Sequence, residues 1–168
     1  GKDGILKYAS GKTEIKAGIF NGTNWSITTL TDNEMADITP KTAANGTEGV
    51  VVWTQGILND YHLEGKLPVI AFSESRLMFA RYNGSAWGKP AVLYAPSGES
   101  IADYSVAMTD DGSALVTAVM GSGKIVIVRI SKSGEVTVIN NSLPTTTKAS
   151  LVYNGKSYIL ACSSDVKD

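Results

Sequence analysis

One segment of this chain occurs three times. Asp37–Trp53 aligns without a gap on Asp103–Val119, and Thr146–Cys162 carries Asn154-Gly155 at the matching place. Each occurrence has two apolar runs joined by an Asn-Gly or Asp-Gly pair, the pattern of strand, hairpin turn, strand. A second element alternates with these occurrences. Ile15–Phe20 followed by Asn-Gly-Thr-Asn-Trp25 resembles Leu77–Tyr82 followed by Asn-Gly-Ser-Ala-Trp87, and Lys124–Ile130 with Ser131–Val136 is a degenerate version. The repeated unit is therefore two hairpins, or four strands. A unit of this size cannot bury its apolar surface alone, so neighbouring units must stack.

The remaining sequence agrees with an all-β chain. Gly49–Thr54, Leu67–Ser73, Leu77–Tyr82, Ala114–Met120, Lys124–Ile130, Val136–Asn140 and Ser157–Cys162 are β-branched runs of strand length, and none sustains the i, i+3, i+4 period of a helix. Only 18% of residues are charged, fewer than helical surfaces normally carry. The aligned glycines Gly46, Gly112 and Gly155 lie 66 and 43 residues apart. Four-stranded repeats of about 40–50 residues are the mark of propeller blades. The expected fold is thus a set of four-stranded antiparallel repeats forming a partial β-propeller, fragmentary or completed by oligomerisation. It occupies 1–168 as one segment of about three and a quarter blades, starting in mid-blade at Gly4–Ser10. The longer spacing predicts an inserted loop at 56–66 followed by an extra strand at Leu67–Ser73, and insertions at blade rims are where function is added.

Charge and composition narrow the partners. Net charge is −1 and the Lys and Arg residues are dispersed, which argues against nucleic acid or an anionic membrane surface. The longest apolar stretches, such as Val50–Trp53 and Ile125–Val128, are far too short to span a bilayer. The single Cys162 excludes an intrachain disulfide framework, and its place in an apolar strand predicts a buried, inert thiol. With one histidine, no EF-hand spacing and no glycine-rich phosphate loop, no metal or cofactor is expected.

The stretches Thr39–Trp53, Leu77–Trp87 and Val106–Val119 resemble the repeats of bacterial sialidase-like and lectin-like β-propellers, in which Asp-Gly-x-x-Leu-Val-Val-Trp and Tyr-Asn-Gly-x-x-Trp motifs alternate. The sialidase Asp-box is similar to Ser-x-Asp-x-Gly-x-x-Trp, whereas Thr109-Asp-Asp-Gly112 has its glycine one residue early. The resemblance implies an exported bacterial protein, secreted or at the cell surface. It also implies a non-catalytic segment that binds glycan or protein through rim loops, or serves as scaffold. A fragment of a sialidase-like glycoside hydrolase is the alternative. Self-association, or the rest of a longer polypeptide, would supply the missing blades.

Candidate ligand-binding residues follow from these readings; no catalytic residue is assigned. His62 is the only histidine and lies beside Tyr61 in the expected loop, where both can line a rim pocket. Arg76, Arg81 and Arg129 are the only arginines, and a sialidase-type site needs three converging on a substrate carboxylate. Arg81 and Arg129 occupy equivalent repeat positions, which equally suits inter-blade contacts. Trp25 and Trp87, each following an Asn-Gly turn, are expected to pack between blades rather than stack on sugar, and Trp53 to lie in the inter-blade core.

Overall fold

The computed structural model describes residues 13–64, 67–139, 143 and 146–163, with side chains at all of these except 58–64, 67–71 and 73. Among them are twelve strands and no helix, so no helix is long and apolar enough to cross a membrane. β1 (Lys16–Phe20) and β2 (Trp25–Thr29) form a hairpin, sheet A. β3 (Ala36–Ala44), β4 (Gly49–Glu64), β5 (Leu67–Tyr82) and β6 (Ala91–Tyr94) form a four-stranded antiparallel meander, sheet B. β7 (Ile101–Met108), β8 (Ala114–Met120), β9 (Ile125–Ile130) and β10 (Val136–Ile139) repeat that meander as sheet C. β11 (Lys148–Tyr153) and β12 (Tyr158–Ser163) form a final hairpin, sheet D.

The segment expected as an inserted loop and an extra strand is neither. β4 and β5 are each 16 residues long and stay paired from Gly49↔Tyr82 out to Glu64↔Leu67. Residues 56–64 and Leu67–Ser73 are thus the distal halves of one long hairpin. Register shifts around Leu58 let the turn-like Asn59-Asp60 pair stay within the strand. At Gly56 the strands approach so closely that a Cβ would come within 2.5 Å of the Glu74 carbonyl and 2.6 Å of Phe72. The strand expected at Gly4–Ser10 lies outside the described residues.

Side chains alternate along each strand, and the central strands bury both faces. On β4 and β5, Val50, Val52, Leu77 and Phe79 face sheet C, where they meet Tyr104, Met108, Val116, Val126 and Val128. The intervening Val51, Trp53, Met78 and Ala80 face sheet A and pack with Ile15 and Leu30. Trp53 is fully buried between sheets, as its place in the repeat predicts. Trp87 also packs on this core, whereas Trp25 is 63% exposed and touches Phe20 at a ring separation of 5.2 Å. Cys162 is exposed rather than buried, because it lies on the last strand of the half-sheet D.

The turns are built as the dipeptides suggest, with one difference. Gly22, Gly46, Gly84 and Gly155 have φ near +90°, but the asparagines before them do not. Each Asn instead turns its side chain back, accepting the backbone N–H groups two and three residues on; Asn45 does so from Thr47 and Glu48, Asn83 from Ser85 and Ala86. Asp111 does the same for Ser113.

Sheets B and C are latched by a bulge. Pro40 has no N–H for the ladder, and the β3–β4 register shifts between Ile38 and Lys41. Thr39 takes φ 53°, turning its carbonyl to accept the Tyr104 hydroxyl, which also reaches the Val52 carbonyl at 3.2 Å. Lys41 crosses to Asp103 at 2.8 Å and lies 4.8 Å from the Tyr104 ring centroid. Burial pushes the Tyr104 hydroxyl up to about 12. Because the folded value exceeds the unfolded 10.0, the contribution is complete below pH 10 and is lost as pH rises toward 12. Denaturant melts across pH 9–12 are expected to show this loss, and Tyr104→Phe to lower stability at pH 8 while flattening the alkaline slope.

Candidate functional site

The Asn-Gly turns gather at one end of the sheets; the site is at the other. It begins with Asp37, which is 2% exposed on β3. Its carboxylate accepts from the Trp53 indole at 2.6 Å, the Gln55 amide at 2.8 Å and the Asn33 amide at 2.8 Å. This fixes the Gln55 side chain, whose carbonyl oxygen then accepts from Arg76 Nε at 3.0 Å and from a second guanidinium nitrogen. The Arg76 guanidinium, half-buried, also touches Met35 Sδ at 3.7 Å. A buried carboxylate thus orients an arginine through one intervening amide.

Arg76 lines a cleft of about 640 Å³. One wall is Met35, Gln55, Phe72 and Glu74; the other is the β6–β7 connection, residues 95–100. That connection is pinned at three points. Ser75 Oγ accepts from Ile101 N at 3.4 Å, Ser100 O from Gly121 N at 2.8 Å, and Glu99 from the Ser122 hydroxyl at 3.0 Å. The lining is mixed: apolar Met35, Phe72 and Pro96, two carboxylates, one guanidinium and several hydroxyls.

The other sequence candidates do not join Arg76. Arg81 follows it by five positions on β5, which sets the two side chains on opposite faces and roughly 16 Å apart. Arg81 reaches across to sheet C, donating to the Gly112 carbonyl at 2.6 Å and the Ser131 carbonyl at 3.2 Å, with Glu48 at 3.5 Å. It ties the turn ends of two sheets together. Arg129, its repeat equivalent, is exposed and acts electrostatically on Asp111 and Tyr158. Hydrogen bonds from Thr109 and Ser113 hold the Asp111 carboxyl below its ordinary value, and burial pushes the Tyr158 hydroxyl up. Tyr61 and His62 lie on the distal half of β4, backbone-paired with Ile70 and Val69, roughly 20 Å along the strand from Gln55. Among the described residues, no group of three or more His, Cys, Asp or Glu is placed to hold a metal ion.

Asp37, Gln55, Met35 and Glu99 are functional candidates that motif reading passed over. The usable signal was an aspartate at the head of a strand whose partner strand carries Trp-Thr-Gln opposite it. The sequence matches no protein-family model and no curated protein.

Three outcomes are expected from variants at the two arginine sites. Asp37→Ala strands two buried donors and a half-buried one, at a cost of about 3 kcal/mol in chemical denaturation. Arg81→Ala leaves two carbonyls without their charged donor and is expected to cost about 1–2 kcal/mol, while Arg76→Ala, at the cleft wall, is expected to cost less.

Proposed function

We propose that this chain is a segment of a β-propeller in an exported protein, and that it binds glycan without catalysing a reaction, in the cleft beside Arg76. The propeller reading is supported by the way the sheets meet. The first strands β3, β7 and β11 pack on one another in succession, whereas the outer strands β6 and β10 do not pack together in that way. Sheets that touch along their first strands and separate along their last are the geometry of blades about an axis.

The observation that carries the ligand reading is the cleft lining. Phe72, Met35 and Pro96 offer an apolar surface for the C–H face of a sugar, while Glu74 and Glu99 accept hydroxyls and Arg76 and Ser97 donate. Arg76 is held before any ligand arrives, which lowers the ordering cost of binding. A glycan array probed with the labelled chain is expected to show selective retention. The double variant Arg76→Ala, Glu99→Ala is expected to lose at least about tenfold in affinity while its melting temperature falls by no more than about 5 °C. Retention that this variant leaves intact, or no retention at all, would remove the cleft from the account.

A further inference from the structure

The two terminal hairpins are complementary halves of one repeated sheet. By the position of its Asn-Gly turn, β11–β12 corresponds to β3–β4, the first half of the unit, and β1–β2 corresponds to β5–β6, the second half. In sheets B and C the halves join where the second strand pairs with the third, β4 with β5 and β8 with β9. Among the described residues, β12 has β11 on one side and no strand on the other, and β1 likewise has only β2.

The exposed apolar residues fall where the missing halves belong. Phe20, Trp25 and Ile27 are more than half exposed on sheet A, yet Tyr82 and Trp87, the equivalents of the first two, pair in the same way and Trp87 packs on the core against sheet A. On sheet D, Val152 and Ile159 are 54% and 50% exposed, while their equivalents Ala43 and Val50 lie in the core between sheets B and C. The surfaces that would cover them are also uncovered. Thr42 and Ala44 on β3 are exposed on the side of sheet B that faces sheet A, and Arg129 is exposed on the side of β9 that faces sheet D.

We infer that two copies of this chain associate head to tail, β1–β2 of one completing sheet D of the other. In the register of β4–β5, where Trp53 pairs with Met78, Val51 with Ala80 and Gly49 with Tyr82, the new ladder sets Cys162 opposite Lys16, Leu160 opposite Gly18 and Tyr158 opposite Phe20. Phe20, Trp25 and Ile27 then cover Ile127 and Arg129 of the second copy, and Val152 and Ile159 of that copy cover Thr42 and Ala44 of the first. Edge and both faces are satisfied by one placement, continuous with the existing contact of sheet D on sheet C. Such a contact is heterologous, closing into a ring or extending as a chain according to its rotation. It does not depend on what the cleft binds. The rival for the β1 edge is the segment 4–10 of the same chain, which the sequence reads as a strand.

Cys162 gives a direct test, since opposed residues on antiparallel strands lie within disulfide range. In the full-length chain, Lys16→Cys treated with oxidised glutathione is expected to form interchain disulfides, as a dimer or a ladder, that disappear when Cys162→Ser is added. Sedimentation of the unmodified chain at micromolar concentration is expected to give at least twice 17.7 kDa. Trp25→Lys, at an exposed position, is expected to weaken association at least about tenfold without shifting the melting temperature. A 17.7 kDa monomer with no interchain disulfide would overturn the inference, as would a disulfide to Cys162 within one chain.

Discussion

The structure rests on strands that are apolar on both faces. Val50-Val-Val-Trp53 sends alternate side chains into two different cores, and Leu77-Met-Phe-Ala80 beside it does the same. A sheet with this pattern is stable only with a cover on each side, so the unit cannot stand alone. Sheet B has such covers over both central strands and sheet C over β8, whereas sheets A and D each have one. The polar contacts then refine this stack. Tyr104, Lys41 and Arg81 all cross between sheets B and C, each donating to a backbone carbonyl on the other side.

The cleft is a product of the same stacking. Asp37 can be buried as a carboxylate because the strand opposite supplies an indole and an amide at the right height, and Asn33 closes the set. Without the Trp53 packing there would be no fixed Gln55, and Arg76 would be one more solvated arginine on a strand. The extended β4–β5 hairpin and the pinned β6–β7 connection then form two walls around a guanidinium already in place. Core and site therefore share residues, and Asp37 belongs to both.

Much of this was legible in the sequence, for reasons that differ by element. The Asn-Gly turns were readable because both residues act locally, one by φ and one by its side chain, with no need of tertiary contacts. The boundaries of β4 and β5 were not, because Asn59-Asp60 and Ser73-Glu74-Ser75 look like turn chemistry while cross-strand pairing overrides them. Trp25 and Trp87 have similar local sequences but differ in burial, one exposed and one half-buried, since burial depends on whether a neighbouring sheet is present. Cys162 is exposed for a related reason: it lies on the edge strand of half-sheet D, whereas its equivalent, Trp53, lies on β4 with β5 beside it. The three arginines do not converge: Arg76 and Arg81 point to opposite faces of β5 with separate partners, and Arg129 lies on β9.

Native-state hydrogen exchange, followed by peptide mass spectrometry, tests the central claim that double-sided burial holds the molecule together. Amides of Val50–Thr54 and Leu115–Val119, in strands covered on both faces, are expected to exchange slowest and near the global unfolding rate. Those of β1–β2 and β11–β12, in half-sheets covered on one face, are expected to exchange well before them. Equal protection across all four sheets, or slower exchange in the terminal hairpins than in β4 and β8, would contradict the account.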